Sequence, residues 1–130
     1  MGNASIKILV VDDDNDLREL IIDILLAKKF DVKEAENGKS AQSMIAIEDF
    51  HIVITDIKMP LLNGIELLHY VKRTKPKINV ILMTGFSEVT ETQEAYELGA
   101  REFLLKPFRK EDLLAAVEKC ISFFRKQSAG

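Results

Sequence analysis

The sequence predicts an α/β fold: a parallel sheet of five strands alternating with five helices in one domain. Three observations predict it. Short runs of apolar, often β-branched residues recur at intervals of about 20 to 30 residues, and segments of helical periodicity separate them. The central runs are almost continuously apolar, as strands buried on both faces of a parallel sheet must be. The chain of 130 residues is long enough for one hydrophobic core without metals or disulfides.

The elements follow in order. Ile6–Val11 (IKILVV) is β1, and Leu17, Leu20, Ile21, Ile24 and Leu25 then repeat with helical spacing as α1. Asp31–Ala35 (DVKEA) alternates weakly, as a strand near a sheet edge does, and forms β2. Asn37-Gly38 marks a turn, after which α2 runs through Met44 and Ile47. Ile52–Thr55 (IVIT) is β3; Pro60 and Asn63-Gly64 mark a loop; Ile65, Leu68 and Val71 form the stripe of α3, which ends before Pro76. Val80–Met83 (VILM) is β4. From Ser87 to Leu98 the apolar points are sparse, so α4 is expected to be short and exposed, with Gly99 ending it. Phe103–Leu105 is β5. The last helix, α5, starts near Arg109 and carries Leu113, Val117, Cys120, Ile121 and Phe124 on one face.

Composition excludes several classes. Eighteen basic against 21 acidic side chains leave a net charge of −3, so no global positive field holds a nucleic acid. The lone Cys120 rules out an internal disulfide framework and a Cys-rich zinc site, which makes the cytoplasm the expected location. No apolar run approaches the roughly 20 residues of a membrane span, and neither membrane association nor direct nucleic-acid binding is expected.

Functional groups of a parallel sheet gather outside the carboxyl ends of its strands. One step past each apolar run stand Asp12, Asp13 and Asp14 after β1, Asp56 after β3, Thr84 after β4 and Lys106 after β5. If β1 and β3 are neighbours, these carboxylates crowd together and need a counter-ion. An oxygen-only ligand set with few carboxylates suits Mg²⁺ (or Mn²⁺), whose remaining ligands come from water and a phosphoryl group. His51 and His69 lie outside the constellation and are expected to be peripheral. Asp14 also stands where α1 begins, with Asn15 and Asp16, and helix capping is its favoured role.

These residues carry a family resemblance over essentially the whole chain. ILVVDDD with Asp12 and Asp13, TDIKMPLLNG with Asp56, Met59, Pro60 and Gly64, ILMTG with Thr84, and FLLKPF with Lys106-Pro107 stand in the order and spacing of a bacterial two-component response-regulator receiver domain. The resemblance implies a doubly wound five-stranded sheet of order 2-1-3-4-5, of flavodoxin or CheY type. It implies a signalling phosphoacceptor, assisting its own phosphorylation and dephosphorylation, with Asp56 the nucleophile that forms an acyl phosphate. Asp12, Asp13 and Asp56 would hold the metal, the second of the acid pair directly and the first mainly through water, and the backbone carbonyl of Lys58 would add a ligand. Lys106 would pair with a phosphoryl oxygen. Thr84 would turn to hydrogen-bond the phosphoryl group, and Phe103, three residues before the lysine, would repack inward as the second switch residue. Pro107 shapes the turn, and the resemblance suggests a cis Lys106-Pro107 bond. Gly64 supplies tight geometry before α3, Gly85 leaves room beside the site, and Leu61 and Leu62 either dock a partner or close the β3α3 loop. Lys58 and Phe86 border the entrance, where they tune attack of water on the acyl phosphate.

The implied partners are a histidine kinase or histidine phosphotransfer protein docking near α1, and a downstream partner or missing effector domain at the α4-β5-α5 face, with a phosphorylation-dependent dimer as a further outcome. The expected layout is a disordered segment 1–5, a receiver over 6–124 and a tail over 125–130, from either a single-domain receiver or a longer regulator or hybrid kinase. Two alternatives stay open on the residues alone. Asp12 and Asp14 form the Asp-x-Asp of a haloacid-dehalogenase-type phosphoaspartyl hydrolase, although the length and the residue order argue against it. A phosphorylation-independent interaction module of the same fold is the other, although nothing in the sequence disables the chemistry.

Overall fold

The structure, a computed structural model, describes residues 3–85, 96–97 and 99–129. Five parallel strands, β1 (Lys7–Val11), β2 (Asp31–Ala35), β3 (Ile52–Asp56), β4 (Asn79–Thr84) and β5 (Glu102–Leu105), form one sheet in the order β2-β1-β3-β4-β5. The order reverses between β1 and β3, the place where a doubly wound sheet opens a crevice at its carboxyl edge. The described residues contain four α-helices: α1 (Asn15–Ala27), α2 (Gly38–Ile47), α3 (Gly64–Thr74) and α5 (Lys110–Ala129). Of the segment predicted as α4, Tyr96 and Glu97 are described and helical; its other residues, with Phe86, lie outside the described residues.

Alternation along the strands divides the core into two layers. Ile8, Val10, Ile52, Ile54, Ile81 and Met83 face α1 and α5, where they meet Ile21, Leu25, Leu113, Val117, Cys120 and Ile121. Leu9, Val11, Val53, Val80 and Leu82 face α2 and α3, where they meet Ala41, Ile45, Leu67, Leu68 and Val71. Each fully buried Leu, Ile or Val contributes about 1.5–3 kcal/mol relative to exposure, so the central strands anchor the sheet. β2 borders it, with three of five residues exposed, as its weak alternation implied.

The structure departs from the sequence reading at several places. Asp56 and Thr84 are the last residues of their strands rather than the first beyond them, because Asp56 still pairs with Met83 and Thr84 with Leu105. Residues 3–5, expected to be disordered, form a 3-10 turn tied to the end of α1 by Asn3 Nδ2, which donates to the Lys28 carbonyl at 2.7 Å. Helix α5 runs on to Ala129 where a tail was expected from residue 125; no glycine or proline interrupts it before Gly130. Leu20, placed on the buried stripe of α1, is 55% exposed, and the buried face instead holds Arg18 with Ile21 and Leu25. None of the described helices is long and apolar enough to cross a membrane.

Candidate functional site

Local folding brings the polar groups to the carboxyl edge. Beyond β1 the chain turns into α1 through Asp14, whose Oδ1 accepts from the N–H groups of Asp16 and Leu17 at 3.0 and 3.2 Å. Asp14 is thus the N-cap of α1, as favoured, and its carboxylate serves the helix end. Beyond β3, a capping box between Asn63 and Glu66, both bonds 2.9 Å, starts α3. Gly64 packs against the main chain of Asp56: a Cβ there would collide with the Asp56 carbonyl oxygen and lie 2.9 Å from Ile57 Cα. A side chain is therefore excluded directly behind Asp56. Between these points the backbone is left-handed at Leu61, φ 72°, with the side chain 75% exposed. Leu62, half-buried, packs on the α2–α3 core layer, so of the two leucines Leu62 closes the loop.

At the sheet edge Lys106 Nζ lies 3.0 Å from Asp56 Oδ2 and 3.6 Å from Asp12 Oδ2. Asp12, Asp13 and Asp56 each present a carboxylate oxygen, and all three lie within 4.8 Å of one another. Asp12 is fully buried; its Oδ1 accepts from the Asp14 N–H at 2.9 Å, while Oδ2 is buried without a hydrogen-bond partner. Burial pushes the Asp12 carboxyl above its ordinary value; the Asp14 N–H and Lys106 oppose the shift, and Asp56 and Asp13 add to it. Burial acts to lower the Lys106 ammonium, but Asp56 and Asp12 outweigh it and hold it above its ordinary value. Three hard oxygen donors, one of them orphaned, fit a divalent cation of the Mg²⁺ class.

The other sequence candidates sit around this centre. Thr84 is buried at the end of β4, its carbonyl accepting from the Lys106 N–H at 2.7 Å. The Lys106-Pro107 peptide is cis. Lys58 is exposed on the β3α3 loop. Phe103 is only half-buried, and its ring stacks on Tyr96 with centroids 6.0 Å apart. His69 is exposed, and His51 caps the opposite edge, where Nδ1 accepts from the Lys7 N–H at 3.0 Å.

Arg18 escaped the sequence reading. Its Nη1 donates to the Asp12 carbonyl at 2.6 Å, Nη2 to Asn15 Oδ1 at 2.7 Å and Nε to Glu34 Oε1 at 2.8 Å. One buried guanidinium thereby locks the main chain at the acid pair to α1 and β2. The signal was present in the spacing 18, 21, 25, which puts an arginine on the apolar face.

The model of the response regulator receiver domain family matches residues 8–118. The chain belongs to that family. The YesN transcriptional regulatory protein of Bacillus subtilis is 32% identical over 124 residues, which cover 93% of this chain and 34% of YesN. CpdR of Brucella abortus, a response regulator receiver protein, is 32% identical over 115 residues, covering 88% of this chain and 96% of CpdR. A CheY-like receiver of Methanospirillum hungatei superposes with a TM-score of 0.90 at 27% identity, covering 94% of this chain and 98% of that one. This receiver spans about a quarter to a third of its longer curated relatives, among them FleR of Pseudomonas aeruginosa at 24% and NtrC of Salmonella typhimurium at 25%. It is thus a receiver domain of two-component signalling, a family of signalling phosphoacceptors that work with Mg²⁺ and histidine kinases.

Proposed function

We propose that Asp56 accepts a phosphoryl group from the phosphohistidine of a histidine kinase or phosphotransfer protein, and that the resulting acyl phosphate switches a partner-binding surface. The observation that carries this reading is the 3.0 Å pair between Lys106 Nζ and Asp56 Oδ2 beside the carboxylates of Asp12 and Asp13. An Asp56 carboxylate oxygen attacks phosphorus; the new P–O bond forms as the phosphorus–imidazole nitrogen bond breaks, and the imidazole leaves. Asp12, Asp13 and Asp56, with the Lys58 carbonyl, would hold the divalent cation, which neutralises charge shared between the two anionic reactants. Lys106 follows the charge as a point cation, exchanging the Asp56 carboxylate for a phosphoryl oxygen. The hydroxyl of Thr84 then donates to the phosphoryl group, and Phe103 leaves its stack on Tyr96 to repack inward. The same residues would serve attack of water on the acyl phosphate, with Lys58 bordering its approach. The output face is β5 and α5 with the segment predicted as α4, leading to a downstream partner, an effector domain or a dimer.

Labelling with acetyl phosphate in Mg²⁺, read by intact mass and peptide mapping, tests this. One phosphoryl group on Asp56, lost in Asp56→Asn and on chelation, is the expected result. Label on Asp12 would support a hydrolase of the Asp-x-Asp type instead. An unlabelled wild type would leave a phosphorylation-independent module.

A further inference from the structure

At the edge of the sheet opposite the acid pocket, where β4 and β5 begin, a cavity of about 420 Å³ lies between the end of α3 and the last turns of α5. Its wall includes Lys72, Lys77, Asn79, Arg101, Phe123 and Phe124, and among the described residues no carboxylate lines it. The neighbouring acids Asp49 and Glu102 are engaged elsewhere, with Lys75 at 3.1 Å and Lys119 at 3.7 Å. Among the described residues Lys72, Lys77 and Arg101 have no ion pair. A chain of net charge −3 thus concentrates three uncompensated cations in one concavity.

Two polar groups in that wall also have no hydrogen-bond partner among the described residues. Asn79 is 4% exposed, and its carboxamide makes no hydrogen bond among the described residues. Arg101 Nε is buried without an acceptor, while its guanidinium lies 3.5 Å from the centroid of the Phe123 ring, a contact that fixes the plane of the fork. Burial, and then the charge of Arg101, hold the Lys72 ammonium below its ordinary value. A buried donor left unsatisfied is costly, and three cations in one concavity repel one another, so a ligand rich in acceptors and negative charge suits this wall.

We infer that this cavity is a binding site for a phosphate-bearing small molecule, its phosphoryl oxygens accepting from Lys72, Lys77, Arg101 and the Asn79 carboxamide. The volume lies within the range of about 300–1,000 Å³ typical of small-molecule sites. Arginine's fork suits phosphate geometry, and two lysines supply point charges. The site is at the far end of the strands from Asp56 and does not depend on the phosphoacceptor chemistry.

Calorimetric titration of the full chain with pyrophosphate and with ADP, in EDTA to exclude metal bridging at the acid pocket, tests the inference. One site is expected, and its affinity should fall with added salt. Tighter binding of ADP would identify a nucleotide-like ligand whose ring uses the Phe123 and Phe124 wall; equal binding would identify a compact phosphate anion. Lys77→Gln, an exposed change with no predicted effect on folding, and Arg101→Gln should each weaken binding about tenfold, the loss of one charge-assisted bond. Lys39→Gln, the same charge change elsewhere, and Asp56→Asn should leave it unchanged. The inference is overturned if neither anion binds at millimolar concentration, or if Lys77→Gln binds as well as wild type.

Discussion

Replacing Asp12 by asparagine should stabilise the metal-free protein while weakening its response to Mg²⁺. The fully buried Asp12 carboxylate lies within 4.8 Å of an Asp56 oxygen and 3.6 Å from Lys106 Nζ. At an effective dielectric of about 20 these separations correspond to a repulsion of at least about 3.5 kcal/mol and an attraction of about 4.6 kcal/mol. Asp13 is exposed, and its screened repulsion adds about 1 kcal/mol. The charge terms therefore at best cancel, which leaves the desolvation of a buried ion, several kcal/mol, as the deciding term. The single Asp14 N–H bond returns part of that cost. Asparagine keeps this bond through its carbonyl and puts an NH₂ donor among carboxylate acceptors, so the net gain should be about 1–2 kcal/mol at pH 7. The sign with pH follows from the raised Asp12 value: the neutral form is favoured in the fold, so wild-type stability is fully present below the ordinary carboxyl value of about 3.9 and is lost as pH rises through the raised one. The advantage of Asp12→Asn should accordingly shrink as pH falls from 7 toward 4. Urea denaturation at both pH values, without divalent cations and then with Mg²⁺, measures all three effects. At ten times its dissociation constant the cation adds about 1.4 kcal/mol to wild type, and asparagine should lose most of that. A variant less stable than wild type at pH 7 without metal, or a gain independent of pH, would refute the reasoning.

Other substitutions test separate supports. Gly64→Ala should cost about 1–3 kcal/mol, because its methyl group meets the Asp56 carbonyl and Ile57; an unchanged urea midpoint would show that the loop yields freely. Arg18→Met should cost about 1–3 kcal/mol by leaving the Asp12 carbonyl without its donor, and Mg²⁺ affinity should fall with it, whereas loss of stability alone would make Arg18 a structural residue only. Cys120 is fully buried and its thiol is pushed up to about 12, first by burial. The wild-type advantage over Cys120→Asp should be intact below about pH 8.5 and fall by about 1.4 kcal/mol per pH unit, from the cysteine side, as the unfolded thiol ionises between pH 9 and about 12. Alkylation of the thiol at pH 8 in native and denatured protein gives an independent check: reaction should require unfolding.

Periodicity carried the strands because a parallel sheet covered on both faces demands continuous apolar runs, and Ile52–Thr55 and Val80–Met83 supply them. The cap of α1 was legible too, since Asp14 answers a local need for acceptors, whereas Asn63, read only as a loop residue, proves to be the cap of α3. Asp12, Asp13, Asp56 and Lys106 were legible as strand-end polar groups, which the topology had to bring to one edge. Arg18 was missed because an arginine at a helix face reads as solvent-facing until the carbonyl it satisfies is known. Phe103 reads as core from its strand neighbours, yet half-emerges to stack on Tyr96.

The amino-acid sequence by itself therefore determined the order of elements, the alternation that divides the core into two layers, and the identity of the acid, hydroxyl and ammonium groups. These depend on chemistry within a few residues of each position. Only the tertiary structure decided that Lys106 bridges Asp56 and Asp12, that Asp12 Oδ2 is orphaned, and that Lys72, Lys77 and Arg101 share a cavity with no ion-pair partner among the described residues. Those groups lie far apart along the chain, and their energies depend on separations and burial that exist only once the sheet has set one strand end beside another.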